Sequence, residues 1–133
     1  MGIELDEEKS LFFTNFIKPY LSTGWSITVE IHRVTGHGRF YCEGYYDEGE
    51  IGVAVGPGCK DQAIYMALAH EMGHLEQEQG VSLKKKDPLP VPLTTPLIEV
   101  DAWRRGLKYA RDWKVVGEYV DYFRRTFPKE ILE

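Results

Sequence analysis

The chain has 133 residues, 43% hydrophobic and 28% charged, with a formal net charge of −5. That length suits one domain over 1–133, and a composition this ordinary argues against disorder and collagen-like repeats. Apolar runs of a few residues fall far short of the roughly 18 needed to span a bilayer. The acidic opening Glu4-Leu5-Asp6-Glu7-Glu8 lacks the basic and apolar regions of an export signal. The expectation is a soluble, cytoplasmic protein with no membrane partner. Phosphate-backbone binding needs concentrated positive charge. The basic clusters, Lys84-Lys85-Lys86, Arg104-Arg105 and Arg124-Arg125, read as solvated helix ends and loops in an acidic chain, so no nucleic-acid partner is expected. The two cysteines, Cys42 and Cys59, form no CxxC pattern and read as a reduced pair.

In chain order, Asp6 or an acidic neighbour caps a first helix that runs to about Lys18, with Leu11, Phe12, Phe16 and Ile17 at helical spacing. Pro19 and Gly24 stop it. From Trp25 the period becomes two: Trp25, Ile27, Val29 and Ile31 alternate with polar residues, as in a half-buried strand. Thr35 to Gly38 reads as a turn, Arg39 to Tyr45 as a returning strand, and Asp47-Glu48-Gly49 as a second turn. It leads into a third strand, Glu50 to Val55. A small, mostly antiparallel three-stranded sheet follows from that pattern. Asp61 to Gln79 is a proline-free helical stretch with Gly80 at the expected stop. Lys84 to Pro96 holds four of the seven prolines and reads as a stiff, extended connector. Helices follow over about Leu97 to Trp113, with Pro96 near its first turn, and over Val115 to Thr126. Helix, sheet, then three helices is an α+β order.

The central helix carries His70-Glu71-Met72-Gly73-His74. Residues four apart on a helix differ in direction by about 40°, so two imidazoles can reach one metal ion from one face. Glu71 lies about 100° from His70, placed to accept a proton from an activated water rather than to bind the ion. Gly73 inside a helix costs roughly 1 kcal/mol against Ala, which points to another element approaching closely there. A catalytic zinc site takes three protein ligands and leaves one position for water. The next helix offers Glu99 and Asp101, about 200° apart around its axis. Glu99 shares its face with the small Ala102 and has the longer reach, which favours it as third ligand. Asp101 remains the alternative, or serves as a carboxylate at the helix N-terminus. A closed, structural site would need a fourth ligand, for which His32, His37 or Asp101 are available.

HExxH at His70–His74 followed by Glu-x-x-Ala from Glu99 resembles the gluzincin branch of zinc metallopeptidases. The chain's size and element order resemble the compact, single-domain minigluzincins, with a weaker likeness to small peptidases that cleave bacterial and phage repressors. The resemblance implies a zincin-like fold, one zinc ion on His70, His74 and Glu99, and Glu71 as general base in peptide-bond hydrolysis. It implies a peptide or protein substrate paired with a strand at the rim of the cleft, for which Glu50 to Val55 is the candidate. The longer metzincin motif is excluded because Gly80 stands where its third histidine would be. The oxyanion-steadying residue of the branch has no motif here. Tyr109 is the most convenient, with Tyr119, Tyr122 and His37 as alternatives. The rival reading is a latent peptidase or a non-catalytic zinc-binding regulatory module.

Overall fold

The computed structural model describes residues 3–21, 24–83 and 95–126. It is α+β, with strands β1 (Ile3–Leu5), β2 (Thr28–Val34), β3 (Cys42–Asp47) and β4 (Glu50–Val55), and helices α1 (Glu7–Ile17), α2 (Asp61–Leu83), α3 (Thr95–Asp112) and α4 (Val116–Thr126). The chain divides into two compact units, Met1–Leu68 and Ala69–Glu133, and α2 runs through the division.

In the first unit, α1 starts where the Asp6 carboxylate accepts from the Lys9 N–H at 3.0 Å, the N-cap bond expected there. The sheet corrects the expectation of three mostly antiparallel strands. It has four, in the order β1-β2-β4-β3, and β2 and β4 run parallel. Two physical reasons account for the difference. β4 has Ile51, Val53 and Val55 buried on one face and Gly52 buried under Tyr45 on the other, and a strand buried on both faces takes an interior place. It therefore inserts between β2 and β3, which do not form the expected hairpin. β1 is three residues long and exposed throughout, so it has no alternating pattern to read. It pairs only with His32 to Val34 of β2. Beyond it, α1 covers the rest of that edge. Asp6 N–H donates to Ile31 O at 2.8 Å, Ile31 N–H donates to Ser10 Oγ at 2.8 Å, and Val29 N–H donates to Thr14 Oγ1 at 2.8 Å. A short edge strand continued by helix side chains satisfies ladder groups that would otherwise invite pairing with another chain.

This topology also overturns the role expected for Glu50 to Val55. β4 is hydrogen-bonded to β2 on one side and β3 on the other, so it has no open ladder edge for an extended substrate. Gly52 lies opposite Tyr45, whose ring would stand 1.9 Å from any added Cβ. The strand thus accepts an aromatic side chain across its face only because that residue is glycine.

α2 continues through Gly80 to Leu83, past the expected stop. The expected connector, Lys84 to Pro96, lies almost wholly outside the described residues. α3 begins at Thr95, with Pro96 in its first turn as read from the sequence. The turn after α3 places Lys114 at φ 63°. Val115 N–H donates to Ala110 O at 2.9 Å and Lys114 N–H to Arg111 O at 3.2 Å, the paired bonds of a Schellman stop. α4 then turns back so that Tyr119 and Phe123 lie against Trp103, with ring centroids 4.7 and 5.7 Å away. Among the described residues no helix is long and apolar enough to cross a membrane.

Candidate metal centre

The second unit is built on a seam of small residues between α2 and α3. A Cβ on Gly73 would lie 1.9 Å from Ala102 O, and one on Gly106 would lie 2.3 Å from Ala69 O. Ala69 and Gly73 are one turn apart on α2, and Ala102 and Gly106 one turn apart on α3. The two pairs face each other in antiparallel register, each glycine receiving the other helix's backbone. The internal glycine of the HExxH helix therefore serves close approach, as its helix-propensity cost implied.

That register decides which α3 carboxylate meets the histidines. Glu99 Oε1 lies 2.9 Å from His70 Nε2, and Glu99 Oε2 lies 3.3 Å from His74 Nε2. Asp101 points elsewhere, accepting from Arg105 Nε at 2.6 Å and from Gln77 Nε2 at 3.0 Å. Of the two carboxylates weighed from the sequence, Glu99 is the one that faces both imidazoles. Arg105 four residues after Asp101 was the sequence signal for the latter's engagement. His70, Glu71 and His74 can each bring one ligand atom within 4.8 Å of the others, close enough to hold a metal ion.

The imidazoles are held by partners the motif does not mention. Gln77 Oε1 accepts from His74 Nδ1 at 2.9 Å, while its amide donates to Ile98 O at 2.7 Å. With Nδ1 carrying the proton, His74 turns the lone pair of Nε2 toward Glu99. Gln77 stands three residues after His74 on the same helix face, a position that sequence reasoning passed over. Trp103 stacks on the His70 ring at 4.4 Å with an interplanar angle of 17°, and Tyr122 stacks on Trp103 at 5.3 Å. Residues that fix a histidine's tautomer and tilt tune its basicity toward a metal.

Glu71 is 2% exposed, and its Oε2 lies 3.3 Å from His70 Nδ1. His70 is thus flanked by a carboxylate at each ring nitrogen. Burial pushes its pKa down, but hydrogen bonds and charge from Glu71 and Glu99 outweigh this and raise it to about 9. The His70 hydrogen bond in turn holds Glu99 below the usual carboxylate range against the opposing effect of burial.

The residues weighed for the oxyanion are placed as follows. Tyr109 is buried and donates to Glu76. Tyr119 is buried and donates to Trp103 O at 2.7 Å. Burial raises both phenols. Tyr122, on α4, is the exposed member of the stack that covers His70. His37 stacks on Tyr41, and His32 pairs with Glu30 at 3.1 Å. No protein-family model, curated protein or solved structure matches this chain.

Proposed function

We propose that this chain is a zinc-dependent metallopeptidase of the gluzincin type, with His70, His74 and Glu99 as ligands of one zinc ion and Glu71 as general base. The carrying observation is the bridge of Glu99 across both Nε2 atoms, at 2.9 and 3.3 Å. Donors about 2.0–2.1 Å from a tetrahedral zinc stand about 3.3 Å from one another. Two imidazoles and one carboxylate also suit zinc by chemistry, and they leave a position for water. When bound, the ion supplies Lewis-acid polarisation of water and of the scissile carbonyl.

The protein's own residues do the rest. Glu71 takes a proton from the attacking water on a carboxylate oxygen and returns it to the departing amine. Gln77 and Trp103 hold His74 and His70 in orientation, so no ring reorganisation is needed as charge develops. The substrate is a peptide or protein. We further infer that this acidic chain works in the cytoplasm and engages neither nucleic acid nor membrane.

One observation favours the second reading, a non-catalytic or latent zinc-binding regulatory module. Glu71 contacts His70 Nδ1, which gives this carboxylate a structural task as the partner that orients a metal-binding histidine. Glu71→Gln separates the two. As a base, Glu71 is dispensable for zinc, so the variant should keep stoichiometric metal and lose about 100- to 10,000-fold in peptide hydrolysis, as expected when general-base catalysis is removed. As an orienting partner only, its loss should weaken zinc about 10–100-fold, with no chelator-sensitive hydrolysis in the parent. Metal analysis of the purified protein and a fluorescent peptide-library assay with and without chelator supply both readouts. Full activity of Glu71→Gln would refute the base assignment.

A further inference from the structure

The two cysteines lie apart in sequence but meet in the first unit. β4 ends at Val55, opposite Cys42 of β3. The chain then turns through Gly56-Pro57-Gly58, closed by Cys59 N–H to Gly56 O at 3.2 Å. Two bonds fasten this turn to the segment entering β3: Gly56 N–H to Tyr41 O at 2.8 Å, and Gly58 N–H to Arg39 O at 2.7 Å. A Cβ on Gly56 would stand 2.3 Å from Gly38 O, so the approach depends on glycine there. Cys59 is thereby carried back beside the start of β3, where Cys42 stands. Cys42 Sγ also reaches Ala63 O at 3.6 Å, and Cys59 Sγ reaches Lys60 O at 3.5 Å. Both residues are half-buried and neither is in a disulfide.

We propose that Cys42 and Cys59 form a thiol pair that closes reversibly to a disulfide on reaction with a peroxide, Cys59 attacking and Cys42 resolving. The roles follow from their surroundings. The neighbouring Cys42 thiol, helped by the Lys9 ammonium, lowers the Cys59 thiol against the opposing effects of burial and Asp61. Cys42 is raised, first by the neighbouring Cys59 and then by burial. Cys59 also stands two residues ahead of α2, whose N-terminal end favours a thiolate. The Cys59 thiolate attacks the peroxide O–O bond, giving a sulfenic acid and expelling hydroxide, which takes the Cys42 proton. The Cys42 thiolate then displaces the sulfenic oxygen as hydroxide, which becomes water by taking back from solvent the proton that Cys59 released on ionising. Two thiols and one hydrogen peroxide become one disulfide and two waters. A dithiol reductant restores the pair.

The test uses the full reduced chain and hydrogen peroxide. The expected product is a monomer lighter by two hydrogens, with both cysteines resistant to alkylation until reductant is added. Cys42→Ser should leave a sulfenic acid at Cys59 that dimedone traps, whereas Cys59→Ser should give no trapped adduct at Cys42. In the untreated parent, iodoacetamide at neutral pH should label Cys59 about 10-fold faster than Cys42, in line with its thiolate character. This last reading needs no variant. Intermolecular dimers, oxidation of either cysteine beyond the sulfenic stage without a disulfide, or equal labelling of the two thiols would overturn the proposal.

Discussion

At the scale of single residues, His70 carries the clearest consequence. Its folded pKa of about 9 lies above the ordinary value of 6.5, so in metal-free protein its proton stabilises the fold. That contribution is complete below about pH 6.5 and is lost as pH rises through about 9. Glu99 is shifted the other way, so its share of the same pair is present above the usual carboxylate range and fades in acid. Chelated protein should therefore lose stability between neutral pH and about pH 10, by up to the order of 3 kcal/mol from this one group. Denaturant titrations of the parent and of His70→Gln at both pH values check it. The variant should lack most of the difference. Metal competes for the same lone pair, so loading at neutral pH should release a proton, visible as buffer-dependent heat in calorimetry.

At the scale of elements, the α2–α3 seam and the α3 stop each make a prediction opposite to a simple propensity rule. Alanine is favoured over glycine within a helix by roughly 1 kcal/mol. Yet Gly73→Ala would set a Cβ 1.9 Å from the Ala102 carbonyl, and forcing apart a packed contact costs about 1–3 kcal/mol. We expect a lower urea midpoint together with weaker metal binding, because α3 carries Glu99. A gain in stability would show that the seam does not set the register. Lys114 is the reverse case. It occupies the left-handed region at φ 63°, where a residue with a Cβ pays about 1 kcal/mol. Lys114→Gly should raise stability by about 0.5–1 kcal/mol in the same titrations while leaving metal binding unchanged.

At the scale of the whole chain, metal and stability are linked. An ion that binds only the folded state adds about 2.7 kcal/mol at a concentration 100 times its dissociation constant. Zinc should accordingly raise the melting temperature of the chelated protein, and EDTA should reverse the rise. The effect should disappear in Glu99→Ala. It should persist in Asp101→Ala, because Asp101 is engaged by Arg105 and Gln77. Equal loss in both variants would overturn the choice of Glu99 as third ligand.

Much of this was legible in the residues themselves, because it depends on local order. The cap at Asp6, the β4 segment, the helical frame of His70 and His74, and the close approach implied by Gly73 all follow from spacing and propensity within a few residues. Sheet order did not follow, since alternation says which face of a strand is buried but not which strand lies beside it. β1 was too short to carry any pattern, and the length of α2 was set beyond Gly80, where the expected stop was overridden. The bridge of Glu99 across both imidazoles, the hold of Ile98 O on the Gln77 amide, and the meeting of Cys42 with Cys59 were decided only by tertiary structure. Each requires two distant segments in one register, and that register is fixed by packed backbone, at the glycine seam and at the Gly56 to Gly58 turn, rather than by any local rule.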